Sequence, residues 1–218
     1  MTSERPAPGE QPGAAGTGDA RLSAPSALRN RDAILDHLPR FAPERGRALE
    51  IASGTGEHIV RFAAATPGLT WQPTEPDAAR RASITAWAEA EGVANILPPL
   101  DLDAARPGWG AEIGPIDFLF LSNLLHLIST EAAEAVLSGI AEALGPSGVA
   151  LIYGPFLRDG EATSEGDAAF DAQLRAQDPA IGYKDVLWVL SHLVDRGLRV
   201  IETVRMPANN LLLAVERV

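Results

Sequence analysis

The stretch Glu50-Ile-Ala52-Ser53-Gly54-Thr-Gly56 sets an acid four residues ahead of two closely spaced glycines. Gly54 and Gly56 let a backbone turn tightly and come close to a ligand, and the helix expected after them presents free N–H groups. A plain tight turn with no ligand satisfies the same pattern. Two neighbours narrow the chemistry. A dinucleotide loop wants a third glycine three residues after Gly56, where Ile59 stands instead and would obstruct close packing around a pyrophosphate. Glu50 also sits poorly beside a doubly negative pyrophosphate. It suits a ligand with positive charge and no phosphate.

Further acids follow. Glu75, in Trp71-Gln-Pro-Thr-Glu75-Pro76-Asp77, lies 19 residues after Gly56, close to the spacing at which a carboxylate accepts from both ribose hydroxyls. A helix cap is the competing role, and Asp77 is better placed for it. In Pro99-Leu-Asp101-Leu102, the carboxylate could accept from an adenine amino group while the Leu102 amide donates to a ring nitrogen, or the segment is a plain turn. Ser122-Asn123-Leu-Leu-His126 offers a histidine that is either a base with a near-neutral pKa or a structural residue, and an asparagine that could position a substrate. Tyr153 either faces the reacting group or packs as core with its hydroxyl at the wet rim. Asn209 and Asn210 reach the same edge or simply make a hairpin turn. Arg29 could pair with a ligand carboxylate or be one solvated arginine among many, with Asn30 beside it. His58 reads as a neutral group that orients the loop.

These groups need a scaffold that gathers distant segments at one edge. Residues 47–51 form a short apolar strand and 57–65 a helix, then 70–74 a second strand and a helix from Asp77 to about residue 91. A third strand is expected at 96–100. Pro107, Gly108, Gly110, Gly114 and Pro115 exclude a long helix before the fourth strand at 116–122, whose apolar run suits a central parallel position. Ser129 or Thr130 caps a helix to Leu144, and a fifth strand spans 149–153. The polar stretch 154–183 holds one helix near 167–176, and 185–196 is an amphipathic helix. Two final strands occupy 198–206 and 211–215, and Ser26 caps a helix at 27–37 ahead of the first strand. The expectation is an α/β, Rossmann-like sheet of seven mostly parallel strands, one antiparallel, with helices on both faces. Such sheets bind ligands beyond the carboxyl ends of their strands, where most of the residues above fall, while Arg29 and Asn30 lie on the helix before the first strand, which can lie across the mouth of the site.

The 218 residues are 46% hydrophobic and 22% charged, ordinary values for a soluble globular chain. A net charge of −11, from 18 basic and 29 acidic groups, argues against a nucleic-acid partner. With no cysteine, disulfides, thiolate metal sites and cysteine nucleophiles are excluded. No HxH, HExxH or paired-acid spacing occurs, so no metal is expected. No apolar run approaches the ~20 residues of a membrane span, and a cytoplasmic protein is expected. Residues 1–20, rich in Pro, Gly, Ala and Ser, read as a disordered tail before a single domain at 21–218.

The pattern acid–x–x–x–Gly–x–Gly after strand one, with acids after strands two and three, resembles the cofactor site of class I S-adenosylmethionine-dependent methyltransferases. Leu28-Arg-Asn-Arg-Asp-Ala-Ile-Leu35, Leu49-Glu-Ile-Ala-Ser-Gly-Thr-Gly-Glu-His58, Trp71-Gln-Pro-Thr-Glu-Pro-Asp77, Leu151-Ile-Tyr-Gly-Pro155 and Met206-Pro-Ala-Asn-Asn-Leu211 resemble one subgroup. It is the little-characterised domain-of-unknown-function family that includes methyltransferase-like protein twenty-six. The resemblance covers about residues 23–218 and departs at Glu57, Asp167 and Ile181, where that family carries glutamine, asparagine and tryptophan. It implies S-adenosyl-L-methionine as cofactor and S-adenosyl-L-homocysteine as product, with Glu50 near the cationic end, Glu75 at the ribose, and Asp101 with Leu102 at the adenine. The activity implied is methyl transfer to a small-molecule acceptor beneath a lid formed by 154–183, in a monomer or weak dimer. A catalytically silent cofactor-binding scaffold is the alternative. A nicotinamide-dependent oxidoreductase is disfavoured by Ile59 and Glu50.

Overall fold

Alternating apolar runs and amphipathic segments fold as strands and helices in the computed structural model, which describes residues 20–218. The tail expected at 1–20 lies, Ala20 apart, outside the described residues. Helix α1 (Pro25–Leu35) and the single turn α2 (Leu38–Phe41) precede β1 (Gly46–Ile51), α3 (Glu57–Ala65), β2 (Leu69–Pro73) and α4 (Ala78–Ala90). Then come α5 (Trp109–Ile113), β3 (Ile116–Ser122), α6 (Thr130–Ala143) and β4 (Leu144–Gly154). The last elements are α7 (Glu165–Gln177), α8 (Val186–Val194), β5 (Leu198–Arg205) and β6 (Leu211–Arg217). One sheet runs in the order β2-β1-β3-β4-β6-β5. Strands β2, β1, β3 and β4 pair in parallel, and β6 lies antiparallel between β4 and β5.

The sheet has six strands, not the seven expected. The segment proposed as the third strand, 96–100, runs alongside β2 but bridges it only at Trp71–Ile96 and Thr74–Leu100. Pro98 and Pro99 have no N–H to give, so the ladder is interrupted where a strand would need it. The first helix also begins earlier than expected. Pro25 takes the first helical position, where its missing N–H costs nothing, and Ala24 rather than Ser26 is the N-cap. Elsewhere the caps agree with their residue types: Asp77, Ser129 and Asp185 each accept from a backbone N–H of the helix they open.

Alternation along the strands buries both faces. Leu49, Ile51, Leu119, Leu121 and Ile152 pack with α6 and α8 on one side. Ala48, Phe118, Phe120 and Leu151 pack with α1, α3 and α4 on the other. Trp109 of α5 lies against Gly139 of α6, where an added Cβ would overlap the indole. Among the described residues, no helix is long and apolar enough to cross a membrane.

Candidate active site

The carboxyl ends of β1, β3 and β4 open into one cleft of about 850 Å³, bordered on one side by α1, a size that matches small-molecule sites. The glycine loop forms its floor. Ala52, Ser53 and Gly54 line the cleft, and Ala52, at φ 51°, holds a left-handed conformation that is costly for a residue with a Cβ. The two glycines have different duties. Gly54 (φ 57°) faces open space, with no heavy atom within 4 Å of the place a Cβ would occupy, so its bareness serves the cleft. Gly56 (φ 100°) does not line it; a Cβ there would meet the Ile84 backbone at 2.9 Å, so its bareness serves the packing of α4.

Glu75 ties that loop to the end of β2. Its two carboxylate oxygens accept from the Gly54 N–H at 3.0 Å and the Asp77 N–H at 3.1 Å. Glu75 is 3% exposed yet lines the cleft with Pro76, and burial raises its pKa. Asp77, as expected, is the helix cap. Beneath the loop, Glu50 is 2% exposed and its Oε2 has no hydrogen-bond partner. Burial pushes its carboxyl up to about 8, with the neighbouring Glu75 adding in the same direction. At neutral pH it is a protonated acid, a buried group that a cationic ligand would ionise and satisfy.

Asp101 and Leu102 are placed elsewhere. Neither lines the cleft. Leu102 is buried in the core, and the Asp101 side chain is 72% exposed and paired with Arg81 at 3.1 Å. Arg81 also donates to the carbonyls of Glu75 and Pro76. The guanidinium engages Asp101 Oδ2, and the carboxylate otherwise faces solvent.

A polar chain closes the cleft between α1 and the sheet. His58 Nε2 donates to Asn30 Oδ1 at 2.7 Å, and Ser122 Oγ faces His58 Nδ1 at 3.4 Å. Asn30 and Asn210 both hydrogen-bond the Tyr153 hydroxyl. Burial, with Arg31 adding, lowers His58 to about 4, so the ring is neutral and keeps one donor and one acceptor nitrogen. Ser122, Asn30, Tyr153 and Asn210 line the cleft, as does Arg29. Asn209 does not; its side chain donates to Asp167 Oδ2 at 3.1 Å instead. The hairpin turn containing it is a single turn of 3-10 helix, Pro207–Asn209. Asn123, at φ 53°, follows β3 in a left-handed conformation and also lines the cleft.

The remaining wall comes from His126 and the segment after β4. His126 lies edge-on to Phe170 of α7 and to Tyr183, with ring centroids 6.1 and 5.9 Å away. Burial and the nearby Lys184 ammonium lower its imidazole to about 4.

Glu57 escaped the sequence reading as a site residue. It is 1% exposed, and its Oε1 accepts from Ser23 Oγ at 2.8 Å and the Ala24 N–H at 2.9 Å. Leu22 is held in turn by Ser83 and Trp87 of α4. Residues 22–24 thus strap α1 against the mouth of the cleft. The available signal was an acid immediately after Gly56, on a helix turn where most neighbours are apolar.

The sheet order and the glycine loop at the end of β1 define a Rossmann-like methyltransferase fold. Solved structures agree. An O-methyltransferase family protein from Burkholderia thailandensis superposes with TM-score 0.76 at 19% identity, over 88% of this chain and 57% of that one. Mitomycin 7-O-methyltransferase MmcR gives 0.72 at 17%, over 88% and 54%. PigF with S-adenosylhomocysteine gives 0.70 at 19%, over 88% and 64%. This chain spans little more than half the length of the first two, and at these identities the likeness is one of fold. Residues 21–217 match the family described as Protein of unknown function (DUF938), and the chain belongs to that family.

Proposed function

We propose that this protein transfers a methyl group from S-adenosylmethionine to a small-molecule acceptor. The observation that carries the reading is Glu50. Glu50 does not itself line the cleft, but its buried carboxyl carries an orphan oxygen beneath a loop whose Gly54 faces open space, and a cationic group drawn down to that loop would satisfy it. The sulfonium donor brings positive charge, ribose hydroxyls and a reactive methyl whose leaving thioether needs no acid. Glu50 holds its cationic end, Ala52, Ser53 and Gly54 approach it through backbone, and Glu75 takes the ribose hydroxyls while keeping the loop shut. Arg29 is the cation available to its carboxylate. The adenine rests beside Pro76, on the side of Asp101 and Leu102, and would share the Asp101 carboxylate with Arg81. Tyr153, fixed by Asn30 and Asn210, orients the acceptor and excludes water from the transfer point, since alignment in a dry site is most of what the reaction asks of the chain. Asn123, His126 and Asn210 complete the acceptor side.

The resemblance to the family that includes methyltransferase-like protein twenty-six, and the use of the donor by proteins of this fold, support the same reading. One observation favours a silent binder instead: the two histidines near the transfer point, His58 and His126, are both held near 4 and are poor bases. Calorimetric titration with S-adenosylmethionine, S-adenosylhomocysteine and NAD tests the proposal. Binding of both sulfur nucleosides is expected; binding of NAD alone would sink it. Transfer of labelled methyl to any acceptor eliminates the silent binder.

A further inference from the structure

We infer that the compartment beside Tyr153 takes a planar heteroaromatic acceptor and presents its ring nitrogen, not a hydroxyl, for methylation. The inference rests on the methyl-transfer reading above. His126, Phe170 and Tyr183 stand mutually edge-on, at 61°, 69° and 69°, with all three ring centroids about 6 Å apart, and all three line the cleft. Packed on one another in this way, the three rings form one aromatic wall of the cleft, against which another flat ring can lie.

His126 is 7% exposed, and its backbone carbonyl accepts from the Gly182 N–H at 3.0 Å while its imidazole reaches the cleft. Neutral imidazole offers one donor and one acceptor.

No base faces the acceptor. The charged and titratable groups around His126 are Lys184, Asp171 of α7 and the Tyr183 hydroxyl. The Lys184 ammonium turns away, donating to the carbonyls of Ile128 at 2.8 Å and Gly182 at 2.9 Å, and it does not line the cleft. Asp171 accepts from the Tyr183 N–H and from Arg175. Both tyrosines facing the compartment are shifted upward by burial. Asp167 does line the cleft, but Thr163, Ser164 and Asn209 donate to its Oδ2 and the Tyr183 hydroxyl to its Oδ1. Moving a proton from a phenol of pKa about 10 to an imidazole near 4 is unfavourable by roughly a million-fold.

A pyridine-type nitrogen needs no such step. Its lone pair forms the N–CH₃ bond as the S–CH₃ bond breaks and that bond's electrons return to sulfur, with no proton to remove. The positive charge passes from sulfonium to ring. It arrives among three aromatic rings and the Asp167 carboxylate, which suit a delocalised cation. The cleft's arginines, Arg29 and Arg80, come from α1 and α4, not from the segments that carry these rings.

Isoquinoline and 2-naphthol have the same two-ring outline and differ in the nucleophile. With the full chain and tritiated S-adenosylmethionine, isoquinoline should give N-methylisoquinolinium with kcat/KM at least tenfold above the naphthol. Independently of turnover, N-methylisoquinolinium should bind the protein saturated with S-adenosylhomocysteine, measured calorimetrically. Phe170→Ala and Asp167→Asn should each weaken that binding about tenfold while leaving S-adenosylhomocysteine affinity unchanged. Preference for the naphthol, transfer to neither compound, or no binding of the cation to the saturated protein overturns the acceptor assignment and leaves the donor site standing. Failure of both sulfur nucleosides to bind removes the methyl-transfer reading itself.

Discussion

If Glu50 is a protonated acid in the empty protein and must be a carboxylate against a cation, ligand binding releases a proton. With the free carboxyl at about 8, the apparent Kd is multiplied by 1 + 10^(8 − pH), so long as the bound cation keeps the group ionised. That factor is about 100 at pH 6, about 11 at pH 7 and about 2 at pH 8. The Kd for S-adenosylhomocysteine, whose α-ammonium is the cation that Glu50 would face, should fall roughly ninefold from pH 6 to 7 and fivefold from 7 to 8, then level off. His58 and His126, both near 4, do not titrate across this range. Calorimetry at pH 7 in two buffers of different ionisation enthalpy should count about 0.9 proton released per ligand bound. Glu50→Gln keeps the size and removes the titration. Its Kd should be flat with pH and about ten- to hundredfold weaker than wild type at pH 8.5, since a hydrogen bond to a charged group is lost. The same shift has a sign for stability. Between the ordinary 4.5 and about 8, the folded empty protein holds a proton that the unfolded chain has lost, so its stability falls as pH rises through that window. Glu50→Gln without ligand should therefore melt higher than wild type at pH 8.5. A wild-type Kd that is flat between pH 6 and 8, with no buffer dependence, would refute the reasoning.

Other outcomes follow from the same structure. Glu75→Ala removes the acceptor of the Gly54 N–H and the proposed ribose contact, and should weaken S-adenosylhomocysteine by ~1–3 kcal/mol in calorimetric titration. Glu57→Ala leaves Ser23 and Ala24 without their acceptor, and should speed proteolytic cleavage within 20–24 several-fold. Gly139→Ala overpacks α6 against the Trp109 indole and should cost ~1–3 kcal/mol in denaturant unfolding, with no change in ligand affinity.

Much of the fold was legible because its signals are local. Apolar runs bounded by Gly and Pro marked β1, β3 and β4, and Asp77 and Ser129 announced the helices they cap. The reading failed at 96–100, where apolar character outweighed two prolines that cannot feed a ladder. Glu50, Glu75, Tyr153 and His126 were visible because each ends or follows a strand. Asp101 has the same position in the sequence, yet Arg81 of α4 engages it, and no spacing rule reports what a long side chain on a neighbouring helix will do. Phe170, Tyr183 and Asp167 were not singled out for the acceptor wall. They sit in a polar stretch without periodicity, and only tertiary packing brings them to His126.

The unequal duties of Gly54 and Gly56 divide a motif that is usually taken as one unit. In a saturation library, position 54 should accept asparagine or aspartate as a folded chain, since those residues tolerate left-handed backbone and nothing crowds the site. Position 56 should accept almost nothing, because any side chain strikes the Ile84 backbone. Loss of the first glycine then marks a chain that has kept its architecture and given up its ligand. Loss of the second marks one that has lost the architecture itself, and the two glycines become separate diagnostics for binding and for folding.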